Sequence, residues 1–426
     1  MKEDNIEEAF QELDDIGNAS ENANLIVYSR DWTVATILNQ IEQGNIDLNP
    51  GFQRRNAWTD DKRSKLIESI MIGYPIPEIV LAEDKNRRNS FIVIDGKQRL
   101  LTIAGFKNPD IYQYWTKKIP KTQRLTSSYN NKTYADISSD ADMLRIFENS
   151  ALRCTVISNY PSDESLYDIF YRLNSGSTPL SSQELRQALN KGHFSEFLIS
   201  VTDKDNVIRK VMNLSEPDKR LRDVEVLLRC MSFLKYATEY KGNLLQFLDN
   251  TTRAFNKNWD SEEKAIIRLK NRVMSATEKL YSVFDSYDTI ARKYKNGEQY
   301  KQFNRVIFEV LVYFFDKIDE NYLTTENNAR FIHSYQELFA NDTDFQATID
   351  GSTKNLENYK IRYSRIHDIV EESYGVSVNS PFEYVKRRVA KKYNDLENHL
   401  MELLVRFVEP HLDSLQKPDD YNLDIH

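Results

Sequence analysis

Residues 90–106, SFIVIDGKQRLLTIAGF, pass from an apolar run into a second apolar pattern across five polar or small residues. Phe91, Ile92, Val93 and Ile94 have the β-branched composition of a buried strand. Leu100, Leu101, Ile103 and Ala104 fit a short helix facing a core. Between them stands Asp95-Gly96-Lys97-Gln98-Arg99. A strand that passes at once into a helix leaves backbone N–H donors at the turn. The positive end of the helix dipole adds to them, so the turn favours an anion. Gly96 lets a ligand approach the backbone closely. Lys97 and Arg99 add positive charge, and Asp95 sets one acid beside it. The turn therefore reads as the holder of a phosphate-bearing ligand. A capping box, with Asp95 as N-cap and Gln98 reaching back to it, explains the same residues. The two readings can share one turn.

Upstream, Glu78–Ala82 is a strand, and the loop 84–89 makes it the antiparallel hairpin partner of the strand at 91–94. Arg87 and Arg88 at the hairpin tip belong in solvent. Tyr74-Pro75-Ile76-Pro77 is a stiff extended lead-in. Before it, Thr59 or Asp60 caps a helix that buries Leu66, Ile67, Ile70 and Met71 and stops at Gly73. Residues 48–58, LNPGFQRRNAW, place a turn at Pro50-Gly51 followed by Gln53, Arg54 and Arg55. Adjacent arginines can fork onto phosphate oxygens or remain in a solvated loop. Leu25–Tyr28 is strand-like, and Thr33 opens a helix carrying Ile37, Leu38 and Ile41 that ends at Gly44. Residues 1–24 read as a flexible acidic tail.

Downstream, residues 107–150 lack clear periodicity and read as an irregular insertion over the core. Its Tyr112, Tyr114, Trp115, Tyr129 and Tyr134 suit packing better than base stacking. Leu152–Ile157 is a further strand. Asp163 starts a helix with Leu166, Ile169, Phe170 and Leu173 on one face, which stops at Asn174-Ser175-Gly176. Ser181 and Glu184 make a capping box, with Leu180 and Leu185 as the hydrophobic staple across it. This linkage gathers Arg172, Asn174 and Arg186 at one helix–helix corner. In structural terms Asn174 is a C-cap and the arginines lie on the surface; in functional terms the corner faces the 95–99 turn. From 205 the chain turns to long helices. Val224, Leu227, Leu228, Met231 and Leu234 form one stripe, and Ile266, Leu269, Val273, Leu280 and Phe284 a second. Phe303, Ile307, Val310 and Phe314 form a third, apolar on most sides and so central to the bundle. Further helices are expected near 327–340, 355–375 and 382–412.

The whole chain has 426 residues, 40% of them hydrophobic and 29% charged, which suits a globular protein of two or more domains. Its net charge of −8 lends no support to non-specific coating of nucleic acid. Cys154 and Cys230 are too few and too far apart for a disulfide framework or a thiolate zinc site. The N-terminus lacks an apolar signal core, and no apolar run is long enough to span a bilayer, so a reducing, cytoplasmic setting is expected. The six histidines lack metal-site spacing. Walker-type GxxxxGK[ST], dinucleotide GxGxxG and GxSxG motifs are all missing from the sequence.

Several short motifs occur in a recognisable order: Phe52-Gln53-Arg54 with Trp58, Tyr74-Pro75-Ile76-Pro77, Asp95-Gly96-Lys97-Gln98-Arg99, and Arg172-Leu173-Asn174-Ser175-Gly176 before Leu180-Ser181. Together they resemble the N-terminal domain of the GmrSD modification-dependent restriction proteins, with its DGQQR signature. The resemblance is clearest over roughly residues 25–240, including Arg222-Asp223-Val224-Glu225. It implies an α+β fold of ParB/sulfiredoxin-like type, a small mixed sheet with helices over 25–204, followed by an all-α helical domain over 205–426. It implies nucleotide hydrolysis coupled to DNA restriction in antiviral defence. Asp95 would orient water or a metal ion, and Arg99 would act on the phosphates as the second catalytic residue. Gly96, Lys97 and Gln98 would bind nucleotide at the turn, and Gln53, Arg54, Arg172 and Asn174 would complete the pocket. The implied cofactor is a nucleoside triphosphate of unspecified base, with Mg an open addition and no metal ligand set assigned. The implied partners are DNA and a separate nuclease or other defence protein; self-association stays open, and no membrane partner is expected. A non-enzymatic nucleotide or DNA sensor that recruits a partner, or a direct ParB-like nuclease, are the alternatives. Lys97 stands where the signature has its first Gln, which puts nucleotide preference in question. The sequence contains no His-Asn-His nuclease motif, so any DNA cleavage would fall to a partner or to the ParB-like core.

Overall fold

The computed structural model describes residues 25–48, 58–113, 115, 121–122, 129–163, 165–167, 169, 181–204, 206–295, 297–350 and 355–381. The first half is built on β1 (Ile26–Thr33), α1 (Val34–Glu42), α2 (Asp60–Ile72), β2 (Ile79–Glu83), β3 (Phe91–Asp95), α3 (Lys97–Lys107), α4 (Tyr134–Ser138), α5 (Ala141–Asn149), β4 (Ala151–Ser158) and α6 (Ser182–Leu189). The four strands form one mixed sheet in the order β1-β4-β2-β3. β2 runs parallel to β4, and the other two pairings are antiparallel. β2 and β3 are the expected hairpin.

Local sequence sets most of these boundaries. Thr33 and Thr59 cap α1 and α2 by accepting from the third backbone N–H of each helix, at 3.1 and 3.4 Å. Gly73 ends α2 in the left-handed region, φ +73°. Alternation along β4 sends Leu152, Cys154 and Val156 to one face and Ile157 to the other. On the first face, Ile37, Leu38, Ile67, Leu100, Ile103 and Phe106 close the larger core of this half. On the second, Val80, Ile92 and Ile94 pack with Leu166, Tyr167, Leu185 and Leu245. Each such fully buried side chain contributes about 1.5–3 kcal/mol relative to exposure.

The stretch 107–150 is more ordered than its lack of periodicity suggests. Thr133 and Asp136 form a reciprocal capping box at α4, and Asp140 caps α5. Phe106, Trp115, Tyr134 and Phe147 pack ring against ring, with centroids 5.8–6.2 Å apart. The packing role expected for Trp115 and Tyr134 holds, and over 134–149 two short capped helices, which carry Tyr134 and Phe147, replace the irregular backbone expected. Arg87, at the hairpin tip, is exposed and donates to the Gly44 carbonyl at 3.0 Å.

The second half is a helical bundle: α7 (His193–Thr202), α8 (Val207–Val211), α9 (Arg222–Tyr236), α10 (Leu244–Lys257), α11 (Trp259–Phe284), a hairpin of β5 (Arg292–Lys295) and β6 (Glu298–Phe303), α12 (Arg305–Phe315), α13 (Thr325–Asn341), α14 (Thr343–Asp350) and α15 (Leu356–Tyr374). One contiguous core joins them, from Phe194 to Val378. α12 lies at its centre: Val306 to Phe315 are all buried. Phe303, read as the first residue of that stripe, ends β6 instead, and Asn304 caps the helix after it. Phe194, Leu198 and Ile199 belong to this helical core although they precede residue 205. The acidic tail 1–24 and the helix expected near 382–412 lie outside the described residues.

A charged turn and the cleft beside it

Asp95 closes β3, and α3 begins two residues later. The linking residue is Gly96, whose φ of +95° lies in the left-handed region. Gly96 itself is the N-cap and offers no side-chain bond, so the capping box expected of Asp95 and Gln98 does not form. The reason is that the Asp95 carboxylate is engaged elsewhere. Arg99 donates to its Oδ2 at 2.8 Å and to the Glu78 carbonyl at 3.0 Å. The Arg99 guanidinium thus folds back over the turn. A Cβ built on Gly96 would lie 3.2 and 3.3 Å from guanidinium nitrogens and 3.1 Å from Ile79 Cγ1. Glycine is required here on two counts, conformation and space. Arg99 is 9% exposed, and its Nε is buried with no acceptor. Gln98 is half-buried, and its carbonyl accepts from Thr102 Oγ1 at 2.7 Å.

Lys97 lies two residues before Arg99, about 200° away around the helix. It lines a small cleft with Asp47, Glu184, Ala188 and Lys191, floored by Ile92 and Val93. Asp47 and Lys191 pair at 2.6 Å. Glu184 accepts from the Ser181 backbone N–H at 2.6 Å while Ser181 Oγ accepts from the Glu184 N–H at 3.1 Å, which is the expected capping box of α6. Arg220 Nε stands 4.0 Å from the same carboxylate. Burial pushes the Lys97 ammonium below the usual lysine range, against the pull of Glu184 and Asp47. Burial also raises the Glu184 carboxyl above its usual value, against the pull of Lys97, the Ser181 N–H and Arg220. Two opposite charges sit close together, yet desolvation pushes both toward their neutral forms.

The side chains of the turn therefore divide into two groups. Asp95 and Arg99 face Glu78 on the β2 side, and Lys97 faces α6. Gln53, Arg54, Arg172 and Asn174 lie outside the described residues. Arg186 is not on the surface as its place at the corner suggested. It is 1% exposed and donates to Asp249 Oδ1 at 2.6 Å and Gln183 Oε1 at 2.6 Å. Tyr167 donates to the same Asp249 oxygen at 3.2 Å. The buried trio joins the sheet half to α10. With Arg172 and Asn174 outside the described residues, what α6 brings to the 95–99 turn is Glu184 and Ala188, which line the cleft with Lys97. Asp47, Lys191 and Glu78 carry no sequence signal for this role. Glu184 carried one, but only as a cap. Among the described residues, no three acids, histidines or cysteines cluster as a metal site, and no helix is long and apolar enough to cross a membrane.

This mixed α+β half, with its glycine-centred strand-to-helix turn, is the part of the chain that matches a known family. Residues 34–191 match the family model described as GmrSD restriction endonuclease, N-terminal domain. The match runs from the first residue of α1 to the lysine at the mouth of the cleft and includes the whole charged turn. No curated protein and no solved structure matches the chain.

Proposed function

We propose that the first half is a ParB/sulfiredoxin-like nucleotide-binding domain and that the chain is a nucleoside triphosphate-hydrolysing component of a DNA-directed, restriction-like defence system. The observation that carries this reading is Arg99. A buried guanidinium nitrogen without an acceptor costs free energy unless something supplies one. Here that donor lies against a glycine at a helix start, where backbone N–H groups and the helix dipole also favour an anion. A phosphate oxygen entering over Gly96 would satisfy it. Asp95 Oδ2 is held by Arg99, which leaves Oδ1 to orient a water or a Mg ion. Lys97 would lie at the opposite flank of the same turn, exchanging Glu184 for phosphate. Gln53, Arg54, Arg172 and Asn174 are the residues proposed to close the pocket, and DNA and a nuclease the proposed partners.

Equilibrium binding of the four ribonucleoside triphosphates, with and without Mg, tests this directly, alongside phosphate release. Binding tighter than about 1 mM for at least one of them is expected, weakened by Gly96→Ala and by Arg99→Lys. No binding by any of the four would remove the proposal. The Asp95–Arg99 pair also favours a second reading: a carboxylate already held by a guanidinium is tied into the turn, as suits a sensor that binds without turnover. Saturable binding with no phosphate released selects the sensor.

A further inference from the structure

The two edges of the sheet are treated differently. At the β3 edge, Asn45 and Ile46 add a short bridge to Phe91, with the Phe91 N–H donating to the Asn45 carbonyl at 2.7 Å. At the other edge, β1 pairs with β4 alone among the described residues and runs for eight residues without a bulge or a proline. Ile26 and Val27 are 53% and 55% exposed, and Ser29, Arg30 and Asp31 are exposed too. A long, straight, open edge is a template for another strand, and proteins usually blunt it. We propose that this edge pairs two copies of the chain, antiparallel and centred on Ser29.

The register follows from which face each side chain takes. In β1, Tyr28, Arg30 and Trp32 lie on the face of Val156, Cys154 and Leu152, their partners in β4. Val27, Ser29 and Asp31 lie on the other face. A two-fold axis perpendicular to the sheet keeps each face on its own side, so only residues of like parity can stand opposite one another. Centring the pair on Arg30 sets guanidinium against guanidinium, and centring it on Asp31 sets carboxylate against carboxylate; like charges directly opposite are destabilising. Centring it on Ser29 sets Tyr28 opposite Arg30 and Ile26 opposite Trp32, each twice, with Ser29 opposite its own copy. Arg30 already lies over the Tyr28 and Trp32 rings of its own strand, at 5.0 and 5.9 Å. The second copy would extend that cation–aromatic ladder across the axis, and the backbone ladder would supply the affinity.

Sedimentation of the full chain is expected to give a concentration-dependent mass approaching twice 50.0 kDa, and Arg30→Glu should return it to the monomer. Register is read by cross-linking. Facing Cβ atoms in such a pair are about 4.5–5.5 Å apart, so a small backbone shift brings them to the roughly 3.5–4.5 Å of a disulfide. Ser29→Cys should therefore form an intermolecular disulfide under mild oxidation, and Asp31→Cys should not. Both sites are exposed, and the native Cys154 and Cys230 are buried. A monomer at all concentrations, or equal cross-linking at both positions, overturns the proposal. So does a full chain that dimerises only after residues 1–24 are deleted, since the chain's own N-terminus would then be the occupant of the edge.

Discussion

Two clusters of opposite charges, one of arginine with glutamate and one of lysine with glutamate and aspartate, behave oppositely. In the helical half, Arg229 Nε donates to Glu309 at 2.7 Å, and Arg229 and Arg305 reach Glu225 at 3.4 and 3.3 Å. All but Arg305 are almost fully buried. Burial alone would lower the Arg229 pKa, but Glu309 and Glu225 more than offset it, and its charge is reinforced. In the cleft beside the 95–99 turn, Lys97 and Glu184 are pushed the other way, each toward neutrality. The first cluster is closed: α9 and α12 hold its charges in direct contact. The second lines a cleft, and there burial opposes both charges. A buried charge held by direct contacts is a structural tie, and one whose desolvation outweighs the pull of its neighbours is a candidate for function.

The contrast predicts an order of effects. Glu309→Ala should cost about 3–5 kcal/mol, because it strands Arg229 in the helical core; urea unfolding would show it, with or without nucleotide. A loss under 1 kcal/mol would mean that the cluster is not closed. Gly96→Ala should cost about 1–3 kcal/mol through the left-handed backbone and the crowded Arg99 guanidinium, and unlike Glu309→Ala it should weaken nucleotide binding by more than its effect on stability explains.

Glu184→Gln keeps the shape of the cap and acts through pH. The folded chain holds the Glu184 proton above the usual carboxyl value of 4.5, at which the unfolded chain releases it. The folded state then binds more protons, so stability falls as pH rises from that value through the raised pKa. The variant should flatten this limb in melting temperatures measured from pH 4 upward; an unchanged slope would show that Glu184 does not carry it. Lys97 works in the opposite sense near the alkaline end. Its pKa lies below the ordinary 10.5, so the unfolded chain binds more protons there and stability rises with pH. Lys97→Gln should remove that limb with little loss of stability, read in the same melting series. The smallest effect belongs to Arg145→Ala. Its pair with Asp142 is open to solvent, and about 0.5 kcal/mol or less is expected by thermal unfolding.

Much of the architecture was legible because it is written in short-range spacing. Thr33, Thr59, Ser181 and Glu184 announced their caps, and the strands at 79–83, 91–95 and 151–158 announced themselves by β-branched runs. α4 was missed because five residues are too few to show a stripe, although Thr133-x-x-Asp136 was there to be read, and α5 was overlooked although Met143, Ile146 and Phe147 stand at helical spacing. The β5–β6 hairpin was hidden between two long apolar stripes, although its Asn296-Gly297 is a hairpin signal. Of the proposed site, Asp95, Gly96 and Arg99 were found by their turn. The separation of Lys97 from Arg99 follows from helix geometry, yet the turn was read as a single cluster of charge.

Residues close in sequence determined where elements start and stop, because caps, turns and alternation act over three or four residues. The rest needed segments far apart to meet. The Asp95 carboxylate took Arg99 rather than the helix end, because the Glu78 carbonyl, just before β2, fixed the guanidinium. Arg186 became a buried tie instead of a surface charge, because Asp249 lies on a helix 63 positions away. Lys97 met Glu184 and Asp47 only once α6 packed on β3, and β1 became an open edge only once β4 took the place beside it. Partners of this kind are set by packing, and no local spacing encodes them.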